Sequence, residues 1–98
     1  MNLLDLLESR PVTKFEDFHA KNPHVYESLR QLALDLVDAG HSHFGIAMIY
    51  ETLRWQHAMR TTDKDFKLNN SYRAAYARML MDREPKLAGV FDLRRTHD

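Results

Sequence analysis

The apolar residues of this chain recur at helical spacing in three long segments, and this periodicity favours a mainly α fold. The first segment predicts a helix over residues 22–39. Asn22-Pro23 is a typical helix start, and Gly40 lies where a left-handed helix cap is expected. The apolar face of this helix consists of Val25, Leu29, Leu32, Leu36 and Val37.

The second segment predicts a helix over about residues 44–59 that has two apolar stripes. One stripe consists of Ile46, Ile49, Tyr50 and Leu53, and the other of Met48, Thr52, Trp55 and Met59. A helix that is apolar on two sides is typical of a position between two neighbouring elements. We therefore expect this helix at the centre of the domain, with Trp55 in the core.

The third segment predicts a helix over about residues 71–84, between the candidate caps Asn69-Asn70-Ser71 and the helix breaker Pro85. Its core face consists of Tyr72, Ala75, Tyr76, Met79 and Leu80. One core is expected to include Val25, Leu29, Leu32, Ile49, Leu53, Tyr76 and Leu80.

Two shorter helices are expected before residue 22. The first contains Leu3, Leu4, Leu6 and Leu7 and ends before Pro11, and the second begins at a capping box at Thr13. The sequence permits residues 65–68 and 90–93 to pair as a small β ribbon but does not require it. The sequence thus predicts one helical domain over 1–98, with short helices in 1–21 and a three-helix core in 22–98. A winged-helix-like arrangement and a plain helical bundle both fit this order.

The composition of the chain excludes several classes of protein. The 98 residues suffice for one hydrophobic core. Cysteine is absent, which excludes disulfides and thiolate metal sites and suits a cytoplasmic protein. No apolar run approaches the ~20 residues needed to span a bilayer, and the first residues lack the basic leader of a signal peptide. We expect no membrane partner.

Charge is balanced overall but unevenly distributed. The net charge is zero, whereas a non-specific nucleic-acid protein is strongly basic. Residues 1–40 carry four basic and seven acidic side chains, and residues 41–98 carry ten basic and seven acidic ones. Such a dipolar domain can present one cationic face to a polyanion, although an asymmetry of this size also arises by chance.

The third helix carries the candidate nucleic-acid-binding residues. Asn70, Ala74, Ala77 and Met81 form the face expected to lie opposite the core, and small residues let a helix enter the major groove closely. Asn70 and Arg73 are candidates for base contacts, and Arg78, Lys64 and Lys67 for phosphate contacts. The alternative is that these residues have structural roles only. Asn69 or Asn70 then caps the helix, and the arginines are exposed to solvent. The alanines stabilise the helix or pack against another helix.

No motif of catalysis or metal binding is present. His41, His43 and His57 permit a three-histidine site geometrically, but no His-Glu-x-x-His pattern supports one. The carboxylates are scattered, and neither a serine triad nor a phosphate-binding glycine loop occurs. We expect no catalytic residues, no metal and no cofactor, and therefore no enzyme. The Arg54-Trp55 pair, Tyr72 and Tyr76 could stack on the bases of a single strand, but core positions explain the three aromatic residues more simply.

A pattern in the second half of the chain resembles small bacteriophage and prophage proteins. It consists of Leu53-Arg54-Trp55, Thr62, the run from Asp65 to Tyr72 (DFKLNNSY) and Tyr76-Ala77-Arg78, and the resemblance covers roughly residues 15–94. It implies a phage or bacterial origin and a host-cell cytoplasmic location. The resemblance implies either a DNA-binding regulator or a protein that binds and inhibits a host protein, which are the typical roles of phage proteins of this size.

Two principal hypotheses of function follow. The first is a small DNA-binding regulator of helix-turn-helix or winged-helix type, a homodimer with its contact at the leucines of residues 3–7. The alternative is a phage accessory protein that binds and inhibits a host protein or defence system through Ala74, Ala77 and Met81. A metal-dependent nuclease is a distant third.

Overall fold

The structure is a computed structural model that describes residues 13–62 and 66–92. The described residues form four α-helices, which confirms the mainly α class: α1 (Lys14–Lys21), α2 (Pro23–Asp38), α3 (Ile46–Arg60) and α4 (Arg73–Arg83). Single 3-10 turns lie at Asn70–Tyr72 and Pro85–Leu87. The predictions for the N-terminal leucines, for Lys64 and for residues 63–65 and 93–98 lie outside the described residues.

The junction between α1 and α2 differs in one detail from the sequence prediction. α1 begins as expected, because the Thr13 hydroxyl oxygen accepts a hydrogen bond from the Glu16 backbone N–H at 3.0 Å. Asn22 precedes α2, but its side chain makes no cap bond to that helix. Instead its amide donates to the Phe18 carbonyl at 3.0 Å and so closes the end of α1. Pro23 then begins α2, since its missing N–H is not needed there.

Gly40 ends α2 as the sequence predicts. Its φ of +101° lies in the left-handed region that favours glycine. The His41 N–H bonds to the Leu36 carbonyl and the Gly40 N–H to the Val37 carbonyl, both at 3.0 Å. This is the Schellman arrangement, which satisfies carbonyls that the end of a helix leaves unpaired.

The core is formed where α2, α3 and α4 meet, with α1 and the Pro85–Leu87 turn packed beside them. The predicted shared core is confirmed, since six of its members are buried and Leu32 is half-buried against them. Leu68, Leu87, Val90 and Phe91 complete the core from outside the helices. Three helices alone therefore do not close this domain.

The ribbon allowed by the sequence is not formed in the described parts of its two segments, 66–68 and 90–92. Each segment packs against a different neighbour. The Phe66 ring lies 4.3 Å from the His57 ring, whereas the Phe91 ring meets Phe44 edge-on at 5.5 Å. The Val90 carbonyl accepts from the Phe44 N–H at 3.3 Å. The segments are anchored to the core individually rather than paired with each other.

Candidate functional site

One face of α3 exposes large apolar side chains. Relative exposure is 48% for Met48, 64% for Trp55 and 68% for Met59. Thr52 lies between them and is half-exposed. These four residues, which we call the α3 stripe, follow one another at intervals of four, three and four positions. At 1.5 Å per residue they form one line about 16 Å long on the helix surface.

The α3 stripe contradicts the prediction that both apolar sides of this helix are covered. Ile49, Tyr50 and Leu53 are the buried residues of α3. They face the core shared with α2 and α4, which both contact α3. The described neighbours of α3 cover its first stripe only. Trp55 is 64% exposed, so the prediction of a buried Trp55 is wrong.

A groove of about 250 Å³ adjoins the α3 stripe where α2 and α3 meet. It is lined by Leu32, Asp35, Leu36, Met48, Ile49 and Thr52. Among the described residues that line it, Asp35 is the one that is ionisable, and its carboxylate accepts from the Gln31 amide at 2.8 Å. The apolar surface therefore continues from α3 onto α2, with one acidic group on its border.

Three polar side chains in or beside the α3 stripe already have partners. The Thr52 hydroxyl donates to the Met48 carbonyl at 2.8 Å, within the same helix. Glu51 and Arg54 form an ion pair one helical turn apart. Covering the stripe would therefore not leave the Thr52 hydroxyl without a hydrogen bond, which is the usual penalty for burying a polar side chain.

Three predicted nucleic-acid-binding residues lie together in the structure. The Asn70 side-chain oxygen accepts from an Arg54 Nη2 at 2.6 Å, and its carbonyl accepts from the Arg73 Nε at 3.3 Å. Lys67 and Arg54 line the same cavity of about 270 Å³, together with His57, Phe66 and Leu68. Arg54 also donates to the Leu68 carbonyl at 2.8 Å. We call this group of Arg54, Lys67, Asn70 and Arg73 the Asn70 cluster. From the sequence, Arg54 is expected only as a base-stacking partner of Trp55, not beside Asn70.

Arg78 is exposed on α4 but lies apart from that cluster. It follows Arg73 by five positions, so the two side chains point about 140° apart around the helix. In the part of the chain that the structure describes, no hydrogen bond or ion pair links Arg78 to Lys67, Asn70 or Arg73. Of the two candidate phosphate contacts that the structure describes, Lys67 therefore lies with the candidate base contacts, and Arg78 does not.

The face of α4 predicted to enter a DNA groove is partly inside the protein. Ala77 is fully buried and Met81 packs half-buried against the core. The Pro85–Leu87 turn contacts both α2 and α4, and its Leu87 is fully buried. This turn adds buried surface to α4 beyond the one face that the sequence predicted, so Ala77 is a packing residue. Ala74 stays exposed.

The tyrosines serve the core. Tyr50 and Tyr76 are fully buried, and half-buried Tyr72 packs on Phe15 and Phe18 at ring separations of 5.7 and 5.2 Å. Burial raises the pKa of Tyr50 to about 12 and also raises the pKa values of Tyr76 and Tyr26. These phenols stay neutral at physiological pH. The predicted core positions of Tyr50 and Tyr76 are confirmed, and Tyr72 packs half-buried against that core, whereas the predicted core position of Trp55 is wrong.

The three-histidine site that the sequence permits is not assembled among the described residues. Within residues 13–62 and 66–92, no three side chains of histidine or carboxylate type are placed to hold a metal ion. Exposed His43 instead contacts the Asp92 carboxylate at 2.7 Å, while the His57 ring packs on Phe66. None of the helices in these ranges is long and apolar enough to cross a membrane.

No family model, curated protein or solved structure matches this chain. The functional interpretation therefore depends on the geometry of its own residues. Two surfaces are candidates: the apolar α3 stripe and the cationic Asn70 cluster.

Proposed function

We propose that this chain is a protein-binding module and that the α3 stripe is its contact surface. The observation that carries the proposal is the exposure of Trp55, Met48 and Met59 along one line of a helix. Single exposed apolar residues are ordinary, but a contiguous apolar patch on a small domain is typical of an interaction site.

The residue types of the α3 stripe fit this role. Tryptophan and methionine are enriched at the centres of protein interfaces, and tryptophan is common among the residues that dominate binding energy. The flexible thioethers of Met48 and Met59 adapt to a partner surface at either end. The groove beside Thr52 offers room for a partner side chain. A zero net charge also favours a protein partner over a polyanion.

DNA binding is the second candidate, and the Asn70 cluster is the observation in its favour. Arg54, Lys67 and Arg73 bring three cations to one region, with the Glu51 carboxylate paired to Arg54. The readout would have to use the start of α4, because Ala77 is buried. We rank this candidate second, since the cluster is small and Asn70 already accepts bonds from two arginines.

Photo-cross-linking in the cells that naturally make the protein tests the proposed function. A photoreactive phenylalanine analogue replaces Met59, and in a matched control it replaces Ala20, which is exposed on α1. We expect a covalent adduct with a defined polypeptide from position 59 only, and its loss when Trp55→Glu is added. Circular dichroism verifies that each variant is folded. Equal adducts from both positions, or none from position 59, would contradict the proposal.

The adduct also identifies the kind of partner. The resemblance to phage proteins predicts a host protein, and mass spectrometry of the cross-linked peptide would reveal its sequence. A peptide of this same chain would instead indicate self-association through the α3 stripe.

A further inference from the structure

We propose that the α3 stripe binds a second copy of this chain, with the two α3 helices antiparallel about a two-fold axis. This inference rests on the proposed function and names the polypeptide that covers the surface. The axis passes between residues 53 and 54, midway along the stripe.

The spacing of the α3 stripe is the first argument. Its intervals of four, three and four positions read the same from both ends of the helix. An antiparallel copy therefore places Met48 level with Met59 of the second copy, and Thr52 level with Trp55 of the second copy. A two-fold interface requires such self-complementarity, because the same surface is used twice. A stripe with unequal end intervals would not match itself in this way.

The residue sizes are complementary in the same register. Each Trp55 indole meets the small Thr52 side chain of the other copy rather than the other indole. The alternating intervals of four and three positions are those between the a and d positions of a heptad repeat. Side chains with this spacing interlock when two helices pair. The Thr52 hydroxyl keeps its bond to the Met48 carbonyl, so the centre of the contact contains no unpaired hydroxyl.

The charges beside the α3 stripe are compatible with this pairing. The Glu51 carboxylate pairs with Arg54 of its own copy, and the Arg54 guanidinium lies away from the stripe, on the Leu68 carbonyl and the Asn70 side-chain oxygen. In an antiparallel two-fold pair the same flanks meet, so Glu51 lies about 3 Å along the axis from Ala58 of the second copy and meets no like charge there. A parallel pair would instead set Trp55 level with Trp55.

Cysteine cross-linking tests this register, since the chain contains no cysteine of its own. Met48→Cys and Met59→Cys variants, one carrying an affinity tag, are oxidised separately and as an equimolar mixture. We expect the mixed disulfide to exceed either self-disulfide at least tenfold. Two copies of residue 48 lie about 16 Å apart in the antiparallel pair, far beyond the roughly 7 Å between Cα atoms that a disulfide bridges. Ala20→Cys serves as the control for random collision.

The mass of the untagged full chain in solution gives an independent result. We expect light scattering to approach twice 11.6 kDa as concentration rises, and Trp55→Glu to return the mass to 11.6 kDa. A mass of 11.6 kDa at every concentration, or stronger self-disulfides than mixed ones, would overturn the antiparallel pairing. If cellular adducts from position 59 then contain another protein, only this inference fails. If position 59 gives no adduct, the proposed function fails too.

Discussion

The Tyr50 hydroxyl donates a 2.7 Å hydrogen bond to the Asn69 carbonyl and thereby joins the middle of α3 to the chain just before α4. Asn69 is held from its other side as well, since its side-chain oxygen accepts from the Ser71 N–H at 2.9 Å. A buried phenol thus fixes where the Asn70–Tyr72 turn begins. The Asn70 cluster owes its position to this link.

Tyr50→Phe should destabilise the fold, whereas Tyr76→Phe should not. The first change removes the bond to Asn69 and is expected to cost about 1 kcal/mol. The Tyr76 hydroxyl is buried and has no hydrogen-bond partner among the described residues, so its removal should be neutral or stabilising. Urea denaturation of the two variants measures the difference. Equal losses would show that the Tyr76 hydroxyl does find a partner.

Stability should fall steeply in alkaline solution. Burial raises the pKa of Tyr50 from 10.0 to about 12, so the folded state keeps the phenol proton where the unfolded state loses it. The stabilising effect is complete below pH 10 and is lost as pH rises from about 10 to about 12. Denaturation midpoints from about pH 9 to about pH 11.5 measure this loss. In Tyr50→Phe the denaturation midpoint should fall less steeply with pH. A fall as steep as in the parent chain would contradict the assignment of this effect to the Tyr50 phenol.

Two glycines should respond differently to alanine. Gly40 has a φ of +101°, so Gly40→Ala forces an unfavourable left-handed conformation and should cost roughly 1–2 kcal/mol. Gly45 has a φ of −87°, and an added Cβ meets nothing closer than 4.0 Å. Gly45 is also the N-cap of α3, where alanine is less favourable than glycine, and this offsets the entropy that alanine removes from the unfolded chain. Gly45→Ala should therefore change stability by less than about 0.5 kcal/mol. Thermal melts rank the two variants, and a reversed order would contradict the cap at Gly40.

The local signals of the sequence predicted the helices well. Four residues determine where a helix begins or ends within one turn of their own position, so their effect can be predicted without knowing the fold: Thr13, Pro23, Gly40 and Pro85. Helical periodicity identified part of the buried face of α2: Val25 and Leu29 are buried as predicted, whereas buried Tyr26 and Ala33 were not predicted. The core members Leu87, Val90 and Phe91 were missed because a single 3-10 turn and irregular backbone have no period that indicates which side is buried.

The candidate surfaces depended on tertiary arrangement, which periodicity does not determine. Both stripes of α3 are apolar in sequence, and only the positions of α2 and α4 decide that Trp55 is exposed. Ala77 was misplaced for the converse reason, since residues outside α4 add a second buried side to that helix. A tryptophan in a stripe without leucine, isoleucine or valine was the one available signal that the stripe differs from a core face.

The two stripes of α3 should differ sharply in a truncation experiment. Leu53 is buried, so Leu53→Ala should cost about 2–5 kcal/mol through lost packing and the cavity it leaves. Met59 is exposed in the single copy, so Met59→Ala should change the unfolding free energy of dilute protein by less than about 0.5 kcal/mol. Urea denaturation at low protein concentration compares them. A loss below about 1 kcal/mol for Leu53→Ala would show that α3 is misplaced.

Titration of labelled random duplex should separate the two candidate functions. The zero net charge and the buried Ala77 lead us to expect no saturable binding at about 150 mM salt. Any binding at lower salt should be weak and should fall steeply as salt is added, because it would come from phosphate contacts alone. Lys67→Ala should then weaken all sequences equally and reduce the salt slope by roughly one, while Arg78→Ala tests a cation outside the Asn70 cluster. Tight binding at about 150 mM salt that Arg73→Ala or Asn70→Ala makes less selective among sequences would place DNA recognition above protein binding.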